Sequence, residues 1–109
     1  MKGSYLGEFQ ELVLLAILSL EDEAYGVAVQ LKIKQVANRD ITRGALHSAL
    51  SRLEEKQFLS SKFGEATKER GGRRKRIYTV TAEGEAALKE AQLIRDSFRG
   101  SVKPSFQYG

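Results

Sequence analysis

Apolar residues Phe9, Leu12, Val13, Ala16, Ile17 and Leu20 recur at spacings of three and four, and Leu14, Leu15 and Leu18 widen the stripe. That period predicts a first helix buried on much of its circumference. Glu21-Asp22-Glu23 is too polar to continue it. Val29, Ile33 and Val36 share a second helical face, predicting a helix from about Ala24 to Ala37. Asn38-Arg39-Asp40 reads as a loop and Ile41 as a brief strand, before Thr42 offers an N-cap hydroxyl to a third helix ending near Gln57. Its apolar positions Leu46, Ala49, Leu50 and Leu53 form one stripe. Arg43, His47, Ser48, Ser51 and Arg52 therefore fall on the other side or its borders.

The period then changes. Leu59, Ser61 and Phe63 alternate with Ser60 and Lys62, and Arg76-Ile77-Tyr78-Thr79-Val80 is rich in β-branched and aromatic residues, so two strands are predicted. The segment between them, Gly64 to Lys75 with Gly71-Gly72 at its tip, is too long for a tight turn and too charged to be buried. It reads as a projecting, flexible hairpin. Thr81 caps a fourth helix with Glu83 in its first turn, along which Ala87, Ala91, Ile94 and Phe98 recur at 4-3-4 spacing. Gly100 is expected to stop that helix and to begin a disordered tail containing Pro104.

This order of elements is mainly α with a small β-hairpin, an α+β winged helix-turn-helix with a C-terminal dimerisation helix. The expected divisions are 1–80 for the winged helix, 81–99 for the dimerisation helix and 100–109 for the flexible tail. The physical logic points to duplex DNA. An α-helix fits a major groove about 12 Å wide, so Arg, His and Ser on its outer face can reach base edges. A basic hairpin beside it can neutralise phosphates or enter the minor groove.

Charge sharpens that expectation. The chain carries a net +4, yet the stretch from Lys68 to Arg76 sets Lys68, Arg70, Arg73, Arg74, Lys75 and Arg76 against Glu69 alone. The rest is almost neutral, so the positive charge is local, as a polyanion contact requires. At 109 residues and 41% hydrophobic content the length fits one domain with a modest core. With no cysteine and His47 as the single histidine, neither a disulfide, a metal nor any other cofactor is expected. The longest apolar run, Leu12 to Leu18, is too short to cross a bilayer, and Met1-Lys2-Gly3-Ser4 does not open a signal peptide. A soluble, cytoplasmic protein without membrane contact is expected.

Particular residues then resemble a known family. Tyr25-Gly26, Ile41-Thr42-Arg43-Gly44-Ala45-Leu46 and Leu50-Ser51-Arg52-Leu53-Glu54 are similar to the PadR family of bacterial transcriptional regulators. So are Gly72-Arg73-Arg74-Lys75-Arg76-Ile77-Tyr78 and Thr81-Ala82-Glu83-Gly84, and the resemblance runs from about Phe9 to Leu88. It implies a winged helix, dimerisation through a C-terminal helix, and repression through a palindromic operator. His47 stands where the family usually has tyrosine, and Gln57 where it has a glycine after the third helix. The short C-terminal helical region is that of a compact member with no separate ligand-binding domain.

The resulting DNA-binding set is Thr42, Arg43, Gly44, His47, Ser48, Ser51 and Arg52 on the third helix, with the six wing cations. Gly44 is read as allowing close approach to a phosphate or a neighbouring helix. Arg52 has an alternative as a partner of Glu55 or Asp22, and Tyr25 is read as sealing a core edge before touching phosphate. The dimer set is Ala87, Ala91, Ile94 and Phe98 against Phe9 and Leu12 of a partner, so a homodimer is expected. A cavity between two subunits could hold a small aromatic or cationic effector. Catalysis is disfavoured because carboxylates are scattered and no glycine-rich loop follows a strand. The stronger rival is a winged helix used as a protein-interaction module, which would show an apolar patch on its third helix.

Overall fold

A computed structural model of the chain describes residues 6–64 and 75–102. Helices α1 (Glu8–Leu20), α2 (Gly26–Ala37) and α3 (Arg43–Glu55) precede strands β1 (Leu59–Phe63) and β2 (Arg76–Val80) and helix α4 (Ala82–Ser101). The wing tip 65–74 and the tail 103–109 lie outside the described residues, and with them the readings of a flexible hairpin and a disordered tail.

Helix α1 buries Val13, Leu14, Ala16 and Ile17, while Glu8 and Glu11 in its first turn complement the helix dipole. It is buried or half-buried on much of its circumference, as expected, but Leu15 and Leu18, which widen the apolar stripe, are exposed. Glu21, at φ 55, ends α1 and opens a single 3-10 turn over Glu21–Glu23.

Ala24 and Tyr25, expected at the start of the second helix, are not helical, and Tyr25 is extended. The Ala24 carbonyl accepts the Tyr78 N–H at 3.0 Å, and Tyr25 forms an isolated bridge with Ile77. The Ala24 carbonyl thus takes an N–H from β2 in place of one from within a helix, and α2 starts at Gly26. Val29 and Ile33 are buried, but Val36 is 77% exposed and leaves the predicted face. Ala37 takes the inward place in that last turn, packed against the core. Ile41 forms no strand; its carbonyl accepts the Gln30 Nε2 donor at 2.7 Å.

Thr42 caps α3 as expected, its Oγ1 accepting the Ala45 N–H at 3.0 Å. Leu46, Ala49, Leu50 and Leu53 are buried along one stripe. The helix closes at Glu55, two residues before the expected end, because Gln57 turns into the left-handed region at φ 68. The Phe58 N–H then returns to the Leu53 carbonyl at 2.9 Å. A side chain in that conformation is strained by about 1–2 kcal/mol, and glycine removes the strain at an entropic cost of about 0.5–1 kcal/mol. Gln57→Gly is thus expected to raise stability by about 0.5–1 kcal/mol in urea unfolding; a lower midpoint would show that the Gln57 side chain outweighs its backbone.

Strands β1 and β2 pair antiparallel, with Leu59 opposite Val80, Ser61 opposite Tyr78 and Phe63 opposite Arg76. Leu59, Tyr78 and Val80 turn to the core, joined by Phe58. At the start of α4 the Thr81 Oγ1 accepts the Gly84 N–H at 3.0 Å and donates to the Gln57 carbonyl at 2.7 Å. One hydroxyl thereby caps α4 and ties it to the exit of α3. Gly84 and Ala87 are buried, so Ala87 belongs to the core and not to an exposed seam. Arg95 pairs with Glu11 of α1. Gly100 does not stop the helix, which continues to Ser101; a single glycine costs a helix only about 1 kcal/mol.

Candidate nucleic-acid interface

The outer face of α3 follows from the burial of its inner stripe. With Leu46, Ala49, Leu50 and Leu53 turned inward, the helical period places Arg43, Gly44, His47, Ser48, Ser51 and Arg52 outward, and all six are exposed. His47, Ser48, Ser51 and Arg52 line an open depression together with Glu55. Among the described residues neither Arg43 nor Arg52 has an ion-pair partner, so Arg52 is not drawn to Glu55 or Asp22. Thr42 stands exposed at the edge with its oxygen engaged as the cap. A Cβ added to Gly44 would meet nothing within 4 Å. Close packing against a neighbouring helix therefore does not explain that glycine.

The wing divides into two parts. Lys68, Arg70, Arg73 and Arg74 lie outside the described residues. Lys75 and Arg76 stand at the base, and both are held by the protein. The Lys75 carbonyl accepts the Gly64 N–H at 2.7 Å, while its ammonium lies 4.6 Å from the centroid of the half-buried Tyr25 ring, a cation–π distance. Arg76 turns toward α3, where its Nη2 donates to Glu54 Oε1 at 3.0 Å and its Nε donates to Ser61 Oγ at 2.9 Å. Arg76, expected at phosphate, is engaged in this way by the protein while its side chain stays half-exposed. Beneath it, burial raises the Tyr78 phenol above its ordinary 10.0; the nearby Arg76 guanidinium opposes this and the Glu54 carboxylate adds to it.

Sequence reasoning missed Glu54. Its position at the border of the α3 stripe carried no signal, because its partners Ser61 and Arg76 are set by the register of a hairpin that had still to be placed. The reading of Tyr25 as a core-edge residue is refined: it supports the base of the wing. On the dimer set, Phe9 and Leu12 are half-buried, with Phe9 packed on the core and the Arg39 guanidinium carbon 5.9 Å from its ring centroid. The exposed leucines of α1 are Leu15 and Leu18. On α4, Ala91 is half-buried, while Leu93, Ile94, Phe98 and Val102 are exposed.

No helix among the described residues is long and apolar enough to cross a membrane, and no three of their acidic or histidine side chains group to hold a metal. The chain is similar to several solved structures. A PadR-like transcription factor from Bacteroides fragilis is 26% identical, with 85% of this chain and 84% of that one covered and a TM-score of 0.70. The smu.1704 protein from Streptococcus mutans is 29% identical over 92% of each chain, with a TM-score of 0.63. A PadR-like transcriptional regulator from Bacillus cereus, 18% identical over 93% of each chain with a TM-score of 0.72, shares the fold. A comparison with curated proteins gave no match. The profile of the transcriptional regulator PadR-like family matches residues 14–90, a span that holds the second half of α1, the whole of α2 and α3, the hairpin and the first half of α4, and the chain belongs to that family of DNA-binding transcriptional regulators.

Proposed function

We propose that this chain is a cytoplasmic, sequence-specific repressor that binds a palindromic operator in double-stranded DNA as a homodimer. The observation that carries the reading is the outer face of α3: Arg43, His47, Ser48, Ser51 and Arg52 are all exposed, while every large apolar side chain of that helix is buried. A major groove offers N7 and O6 acceptors of guanine to Arg43 or Arg52, and either donors or acceptors to the serines. A module built to dock another protein would instead expose apolar residues at the same positions, so the interaction-module reading is set aside. Repression follows physically where such a dimer occupies DNA that the transcription machinery must also use. The wing cations contribute affinity without sequence choice, through phosphates on either side of the groove.

Selection of bound duplexes from a random pool by the purified chain tests the proposal. The expected product is an inverted repeat whose half-sites are centred about 10 base pairs, or a multiple of that, apart. An unpaired half-site would remove the homodimer from the mechanism. Failure to retain any duplex at low salt would remove DNA binding altogether.

A further inference from the structure

Arg76 is the last of the wing cations, and its half-exposed side chain is laid against the end of α3. Its Nη2 reaches both oxygens of Glu54, at 3.0 and 3.2 Å, and its Nε donates to Ser61 Oγ at 2.9 Å. The Ser61 hydroxyl in turn donates to Glu54 Oε2 at 2.6 Å. The guanidinium carbon sits 5.6 Å from the centroid of the Tyr78 ring, and Tyr78 is the register partner of Ser61. Three elements meet in this contact: the last turn of α3, the middle of β1 and the first residue of β2. One cation and one anion cancel there, so the cluster presents little net charge to a phosphate.

We infer that Glu54, Ser61 and Arg76 form a positioning tie that fixes the angle between the recognition helix and the wing, and that Arg76 acts through Glu54 instead of on the DNA backbone. The inference rests on α3 and the hairpin forming one DNA-binding surface. The base of the hairpin is held by Leu59, Tyr78 and Val80 in the core and by the Tyr78 N–H on the Ala24 carbonyl, so any pivot against α3 lies in the strands beyond that base, where Ser61 and Arg76 meet Glu54. Specific binding needs helix and wing to meet groove and backbone in one geometry, whereas nonspecific binding accepts many. A tie that removes the pivot therefore favours the operator over random DNA. A guanidinium that shares one nitrogen between both carboxylate oxygens and gives a second to a hydroxyl fixes the relative direction of all three groups, and its charge strengthens each hydrogen bond.

The test compares wild type, Glu54→Gln, Arg76→Gln, Arg76→Lys and the Glu54→Gln/Arg76→Gln double variant on the selected operator and on a random duplex across salt concentrations. Amide hydrogen exchange of β1 and β2 is followed without DNA. Each glutamine variant is expected to lower the ratio of operator to random affinity by about tenfold, which is about 1.4 kcal/mol, with the random-duplex salt slope unchanged. The double variant should lose no more than either single one. Strand amides should exchange faster in all of them, and Arg76→Lys, which keeps the charge but not the fork, should fall between. The opposite pattern overturns the inference: Arg76→Gln makes the salt slope shallower by about 0.9, while Glu54→Gln strengthens binding by removing a negative charge. Should the wild-type chain bind no duplex, the DNA reading fails by itself and the exchange data decide the tie. Unchanged exchange in both glutamine variants would then refute it.

Discussion

Gly84→Ala is expected to destabilise the domain by about 2 kcal/mol net, lowering Tm by about 10 °C. Gly84 lies in the first turn of α4, where a Cβ would come 2.4 Å from the Phe58 carbonyl oxygen and 2.8 Å from Val80 Cγ1. The first of these is backbone, pinned from the other side because the Phe58 oxygen accepts the Thr81 N–H at 3.0 Å. Neither partner can move without opening the junction of α3, β1 and α4. Overpacking of that kind costs about 3 kcal/mol, and the better helix propensity of alanine returns only about 1 kcal/mol. Gly100→Ala serves as the control. It lies in the same helix with nothing within 4 Å of its added Cβ, so its Tm should hold or rise slightly. Thermal unfolding followed by circular dichroism separates the two, and a Gly84→Ala variant as stable as wild type would mean that α4 is not seated on the Phe58 backbone.

The contrast between these glycines shows which parts of the structure were legible in the sequence. Features that depend on neighbours within one turn were legible. Thr42 and Thr81 cap the helices they precede because a hydroxyl reaches an N–H three residues on whatever the rest of the chain does. The outer face of α3 was legible for the same reason, since four buried positions at helical spacing fix where the others point. What depends on residues far along the chain was not. The pairing of Ala24 and Tyr25 with β2 spans more than fifty residues, and it displaced the start of α2. The Glu54–Arg76 contact joins positions 22 residues apart, and a basic run gives no hint that its last member pairs with the end of α3. Val36 left its predicted face because helical period says nothing about how far along a helix its neighbours extend. Ala87, read as part of the dimer set, is buried in its own domain for the converse reason: the core reaches further up α4 than its 4-3-4 spacing reveals.

Ile94→Glu is expected to abolish dimer formation and operator binding together, while leaving the domain folded. Beyond Ala91 the described residues leave the apolar side chains of α4 largely uncovered: Ile94 is 52% and Phe98 71% exposed, and Leu93 and Val102 are exposed with them. The ion pair of Arg95 with Glu11 holds this half of α4 beside α1. On α1, Leu15 and Leu18 lie one and two turns beyond Glu11 on the same side of the helix and are exposed as well. A second copy related by a dyad can cover both at once, which the proposed homodimer requires. Within a lone chain the Ile94 side chain is half in water, so glutamate there should cost little and the helical circular dichroism should persist. Within the dimer it would bury an unpaired carboxylate, a loss of about 3–5 kcal/mol, enough to weaken association more than a hundredfold. Operator affinity should fall with it, because two half-sites multiply their discrimination only when their readers are joined. Sedimentation at micromolar concentration and operator binding are the measurements. An Ile94→Glu chain that still sediments as a dimer would move the interface away from α4, and a wild-type chain that is monomeric yet binds the inverted repeat cooperatively would place the joining of subunits on the DNA itself.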